Sequence, residues 1–322
     1  MYHVHAKEGS ILSATEILKR FPRTKSELLE RANALFPVRV TRSWASRMSQ
    51  ADDALGLQVL PDFTELETNN NDVVDPVGER FNRPLPWVVH KHQDRVLLLV
   101  TRRCHLYCRY CFRRDQHDSN EPSSEEIEAA FNYLRRSKAK ELILSGGDPL
   151  TLSNRRLLHL VSQGRQIVPR IRIHTRAPIT HPKRVNTELL EGLQKHAPVW
   201  FVIHCNHPKE LSDDVRTAIG RLIDAGIPVL NQSVLLRGVN DNPETLILLS
   251  HALMQLRVQP YYLHHTDPVP GNASFRVSIH RRLQIHAEMQ RHLGGIGLPR
   301  YVIDPPDGSG KIDVASWATR RL

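Results

Sequence analysis

An α/β fold is what this sequence predicts: a partial, TIM-like (β/α)6 barrel behind an N-terminal helical extension. Three observations predict it. From Arg95 onward six short apolar runs recur, at residues 96–100, 142–145, 171–175, 199–204, 229–235 and 261–265. Between them lie amphipathic stretches at helical spacing, 124–136, 155–168, 187–195, 213–225 and 243–256. One helix between successive strands describes repeated right-handed βα units and therefore a parallel sheet. Finally, the polar and glycine-containing motifs fall just after the apolar runs, at the carboxyl ends of strands, where such folds gather their chemistry.

Residues 1–90 form the extension, 91–290 the barrel and 291–322 a C-terminal segment. In the extension, residues 15–21 and 26–32 show helical spacing, with Thr15 and Ser26 as candidate N-caps. Pro61, residues 69–72, Pro76 and Pro84 mark an irregular connector. The first apolar run leads into Cys104, Cys108 and Cys111, spaced C-x3-C-x2-C. Three thiolates on one loop suit a metal, and a four-iron cube offered only three would leave one iron open to a small molecule. A structural zinc site would need a fourth ligand, Cys205 or a distant histidine. Disulfides are poorly supported, since only Cys205 stands apart from the crowded three.

The second run ends in Ser145-Gly146-Gly147-Asp148-Pro149. Its glycines permit close approach of a ligand and expose amide N–H groups, while Asp148 offers an acceptor for an ammonium; a plain turn is the alternative. His174, Thr175 and Arg176, then His204, Cys205 and Asn206, then Asn231 and Gln232, add polar groups to the same rim. Cys205 reads as a buried rim residue. Asp267 follows the sixth run, where it either faces the cavity or caps the loop ahead of Pro268. The last motif, Tyr301 to Lys311, sets a lysine after Asp307-Gly308-Ser309-Gly310; a P-loop is excluded because G-x4-G-K-S/T is absent.

At 322 residues the chain can bury a sizeable core without disulfides. No apolar run approaches the roughly 18–20 residues of a membrane span, and Met1-Tyr2-His3-Val4-His5 lacks a signal-peptide core, so a soluble, cytoplasmic protein is expected. The formal charge of +10 comes from scattered arginines rather than a basic block, which favours a generally basic surface over a nucleic-acid interface.

The C-x3-C-x2-C loop followed by Phe112 resembles the cluster loop of radical S-adenosylmethionine (SAM) enzymes. The string from Cys108 to Arg114, with residues 36–43 and 90–95, is similar to the lysine 2,3-aminomutase branch. The resemblance implies a [4Fe-4S] cluster on Cys104, Cys108 and Cys111, and SAM held by Ser145, Gly146, Gly147, Asp148, His204 and Gln232. It implies pyridoxal 5′-phosphate (PLP) carried covalently by Lys311, with Arg95 on its phosphate. L-Lysine would be held through its carboxylate by Arg113 and through its side-chain ammonium by Asp267 and Asp304. The chain departs from the branch at Asp307 and Ser309, where two glycines are expected. It ends eleven residues after Lys311, as in the short type that makes β-lysine for a separate ligase acting on elongation factor P. An external electron donor is implied; a homo-oligomer stays open. The alternatives are a radical SAM enzyme that lacks PLP or takes another cationic amino acid, and, outside catalysis, a zinc-stabilised basic binding protein.

Overall fold

A nine-stranded sheet takes its strands in strict sequence order. They are β1 (Val88–His92), β2 (Arg95–Thr101), β3 (Glu141–Gly146), β4 (Arg170–Thr175), β5 (Val199–His204), β6 (Val229–Val234), β7 (Gln259–His264), β8 (Arg300–Ile303) and β9 (Ile312–Asp313). The computed structural model describes residues 11–22, 26–67 and 69–314; the amino-terminal residues read above for a signal peptide lie outside them. Strands β2 to β8 run parallel, and β1 and β9 pair antiparallel at the two ends of the order. The barrel is therefore open, as expected of a partial one.

All six expected strands are present, and the parallel sheet continues one strand further. Strand β8 holds only four residues, Arg-Tyr-Val-Ile, too short an apolar run to stand out beside its neighbours. The sheet thus takes strands from both sides of the boundaries expected at residues 90 and 290.

The crossover helices are α1 (Ser124–Arg136), α2 (Asn154–Arg165), α3 (Thr187–Gln194), α4 (Asp213–Asp224), α5 (Pro243–Gln255) and α6 (Ile279–His292). Helix α1 shows why they form where they do. Ser123 caps it in a reciprocal box with Glu126, acids occupy its first turn and Arg135 and Arg136 its last, so charge opposes the helix dipole at both ends. In α4, Val215, Ala218, Ile219 and Leu222 recur every three or four residues and are buried. Burial of each large aliphatic side chain contributes about 1.5–3 kcal/mol. On the strands the period is two: in β6, Leu230, Gln232 and Val234 face an interior cavity while Val229, Asn231 and Ser233 are buried on the other side.

The extension contributes helices Ala14–Arg20 and Ser26–Leu35 and a small ladder of Ile11–Leu12 with Val40–Thr41. The first helix is capped by Ser13, not Thr15, because Ser13 carries the reciprocal bond with Glu16. Arg109, in the middle of the cysteine loop, is fully buried and ties this extension to the barrel. Its Nε and Nη2 donate to the Glu65 carboxylate at 2.9 and 2.6 Å, and Nη1 donates to the Phe36 carbonyl at 2.6 Å. Arg114 shares Glu65, and the Phe36 ring lies under both guanidinium groups. Among the described residues no helix is long and apolar enough to cross a membrane.

Candidate active site

One cavity of about 790 Å³ runs through the barrel, and every site residue expected from the sequence lines it. Cys104, Cys108, Cys111 and Arg113 come from the loop after β2. Ser145, Gly146, Gly147 and Asp148 come from the end of β3, and His204 and Gln232 from β5 and β6. Asp267 and Asp304 follow β7 and β8, Arg95 opens β2, and Lys311 precedes β9.

The cysteine loop is held from three sides. Arg39 Nε donates to the Cys104 carbonyl at 2.8 Å, and the amides of Gly147 and Asp148 donate to the carbonyls of Thr101 and Arg103 at 2.7 and 2.8 Å. A Cβ on Gly146 would lie 2.3 Å from the Thr101 carbonyl oxygen, and one on Gly147 would lie 2.3 Å from that of Arg103. These glycines thus admit the cysteine loop itself, rather than exposing the Gly147 and Asp148 amides to a ligand as expected. Asp148 likewise differs from expectation. Its oxygens accept from Thr175 Oγ1 at 2.6 Å, Arg176 N at 2.9 Å and Leu150 N at 3.0 Å, so the carboxylate braces the turn instead of standing free for an ammonium.

The three thiols fit a cluster by the chemistry of the donor set. Burial pushes Cys111 up to about 11, and burial with the nearby Asp148 charge also pushes Cys104 well above the ordinary thiol range. Thiols raised in this way ionise when a metal replaces their protons. Arg176 Nη1 donates to Cys108 Sγ at 2.8 Å and is itself fixed by Gln58 and Glu210, which sets one positive charge against the thiolates. Among the described residues no group of three His, Cys, Asp or Glu side chains is placed to share one ion. A cube takes one thiolate at each of three irons, so its ligands need not converge. Cys205 is buried, as expected of a rim residue.

The other end of the cavity is built on Lys311. Its Nζ bonds Asp304 Oδ2 and lies 5.6 Å from the centre of the Tyr262 ring. Lys91 Nζ donates to the second Asp304 oxygen at 2.6 Å and to the Val77 carbonyl at 2.8 Å. Burial alone would raise the Asp304 carboxyl, but the two ammonium groups outweigh it and hold it at about 2. Asp267 is the opposite case: burial and the Asp304 charge push it up to about 7. Its backbone carbonyl takes the local bonds of the loop, so its carboxylate does not cap the turn before Pro268. The loop ahead of Lys311 accommodates both departures from the expected glycines. Gly308 and Gly310 hold the positive φ angles, +78° and +92°, while Asp307 accepts from the Ser309 amide at 2.9 Å.

Arg113 carries a partner that sequence reasoning missed. Its Nε donates to Glu79 Oε2 at 2.8 Å, its Nη2 bonds Glu79 Oε1, and its Nη1 donates to the Gly146 carbonyl at 3.0 Å. Lys91 was missed too, though it lies inside the segment 90–95 singled out above. Nothing local could have found Glu79, which stands 34 residues from Arg113 in an irregular connector.

The chain matches the Radical SAM superfamily over residues 98–249. It is 37% identical over 303 residues to a putative L-lysine 2,3-aminomutase of Aquifex aeolicus, spanning 92% of this chain and 82% of that one. It is 36% identical over 314 residues to the L-lysine 2,3-aminomutase of Clostridium subterminale, spanning 94% and 75%. The corresponding protein of Buchnera aphidicola is 38% identical over 285 residues, spanning 86% and 84%. Among solved structures, Streptococcus suis SuiB bound to precursor peptide SuiA superposes with a TM-score of 0.51 at 13% identity, over 63% of this chain and 46% of that one, a likeness of fold alone.

Proposed function

Because the chain belongs to the lysine 2,3-aminomutase family of radical SAM isomerases, we propose that it moves the α-amino group of L-lysine to the β-carbon, with a [4Fe-4S] cluster, SAM and PLP as cofactors. The observation that carries the reading is that three clustered, half-buried thiols and the Lys311 amine line the same cavity. When bound, the cluster with SAM supplies an organic radical, and PLP supplies the carbonyl carbon that holds the migrating nitrogen.

The chain's own residues do the rest. Cys104, Cys108 and Cys111 would hold three irons, with Arg176 offsetting their charge. Lys311 would hold PLP and Arg95 its phosphate. Once Lys311 is engaged, the Asp304 oxygen that held its ammonium is released for another cation. Asp267, a buried carboxylate, gains most from such a cation, and together the two suit the side-chain ammonium of lysine. Arg113 has five N–H donors. Glu79 and Gly146 take three, which leaves one on each terminal nitrogen, an end-on fork of the kind that grips a carboxylate.

The β-lysine so made would pass to a separate ligase that modifies elongation factor P, a reading supported by the resemblance of residues 36–43 and 90–95 to the aminomutases of that type. It predicts that the factor loses the mass of β-lysine in cells without this protein. The activity is tested by anaerobic incubation with L-lysine, SAM, PLP and dithionite. Formation of β-lysine supports the assignment; cleavage of SAM without it contradicts it.

A further inference from the structure

Strand β4 carries a column of basic side chains up the cavity wall. Arg170, Arg172 and His174 alternate along its inner face and all line the cavity. Two of them hold buried polar atoms that have no hydrogen-bond partner among the described residues, Arg172 Nε and His174 Nε2. His174 pairs in register with Val202, two residues before the rim residue His204, so it stands below the rim and above the floor marked by Arg172.

The groups that act on His174 are Arg172, Lys311, Arg113 and His264, none of them an acid. Burial, reinforced by the positive charges of Arg172, Lys311 and Arg113, holds the imidazole well below its ordinary range and therefore neutral. A neutral imidazole has one N–H to donate, and an orphaned nitrogen in a cationic setting calls for an anionic oxygen. The proposed ligands bring four such groups into the cavity, and the carboxylate of SAM would go to the iron that three thiolates leave open. The phosphate of PLP has Arg95 and the carboxylate of lysine has Arg113. The ring oxygen of PLP, adjacent to the carbon that Lys311 would hold, has no partner yet.

We propose that His174 is the positioning residue that donates a hydrogen bond to the anionic ring oxygen of the PLP carried on Lys311, an inference that rests on the PLP reading above. Such a bond stabilises the oxygen anion. It thereby lowers the basicity of the neighbouring nitrogen, so its loss is visible in the cofactor's own absorption.

The test uses the full chain loaded with PLP in the absence of SAM and reductant, so that no turnover occurs. The visible band is titrated with pH in the wild type, His174→Ala and His174→Gln, and L-lysine is titrated against the same band. Removing the donor in His174→Ala is expected to move the midpoint upward by about one pH unit. The amide N–H of His174→Gln, a variant that keeps a polar side chain in the wall, should restore most of it, with lysine affinity unchanged. An unmoved midpoint with weaker lysine binding would overturn the proposal and give the imidazole to the substrate carboxylate. Unmoved values for both would leave His174 a packing role and overturn it too. A wild-type protein with no visible band dependent on Lys311 would defeat the PLP reading itself, a failure distinct from the other two.

Discussion

The two ends of the cavity are satisfied in opposite ways. Around the cysteine loop the carboxylates are paired inside the protein, Glu65 with Arg109, Glu210 with Arg176 and Asp148 with three donors, while Arg176 Nε and His105 Nδ1 have no partner among the described residues. Around Lys311, groups wait: Asp267 is pushed up to about 7, and His174 Nε2 and Arg172 Nε lack partners among the described residues. A buried polar group without a partner costs about 1–3 kcal/mol. The first end therefore suits a resident cofactor in the reading proposed above, and the second suits ligands that come and go.

That contrast can be broken most severely at the thiols. Cys108→Ala removes one of three iron ligands and should abolish both cluster retention and SAM cleavage, read as iron and sulfide per chain and as methionine released. Next comes the frame. Glu65→Gln removes the carboxylate charge that the buried Arg109 and Arg114 share and should destabilise the protein by about 3–5 kcal/mol in denaturant unfolding.

The Lys311 end should respond with the opposite sign. The folded-state pKa of Asp267 lies above its ordinary 3.8, at about 7, so the folded chain binds that proton more tightly than the unfolded one. Its ionisation therefore costs stability increasingly as pH rises from about 4 to about 7, and the cost is complete above that. Asp267→Asn should accordingly make the ligand-free protein more stable at alkaline pH, by roughly 2–4 kcal/mol, while it weakens lysine binding. A variant that lost both would remove the contrast. The mildest effect is on the wild type. Lysine binding should weaken as pH falls through about 7, where Asp267 takes up its proton, with SAM binding unaffected. Parallel calorimetric titrations of the two ligands would show it.

The barrel was legible because its strands are apolar runs at regular intervals, and the thiols because their spacing is local. Strand β8 was not, since three apolar residues carry no period. The internal partners of Gly147 and Asp148 were hidden for a related reason. A glycine that admits a ligand and one that admits a neighbouring loop look alike until the carbonyl of Arg103 is seen 2.3 Å from where a Cβ would stand. Glu79 and Lys91 act on partners 34 and 213 residues away, a distance over which no sequence pattern operates. The departures at Asp307 and Ser309 cost the loop no backbone strain, because the two glycines retained are the ones with left-handed backbone.

The central claim is that the thiol end and the Lys311 end face one reaction space. Its most direct measurement is anaerobic turnover of L-lysine deuterated at the β-carbon, with SAM, PLP and dithionite. The account predicts deuterium in the 5′-deoxyadenosine recovered and in the β-lysine formed. Cleavage of SAM that leaves 5′-deoxyadenosine free of deuterium, with the lysine unchanged, would contradict it.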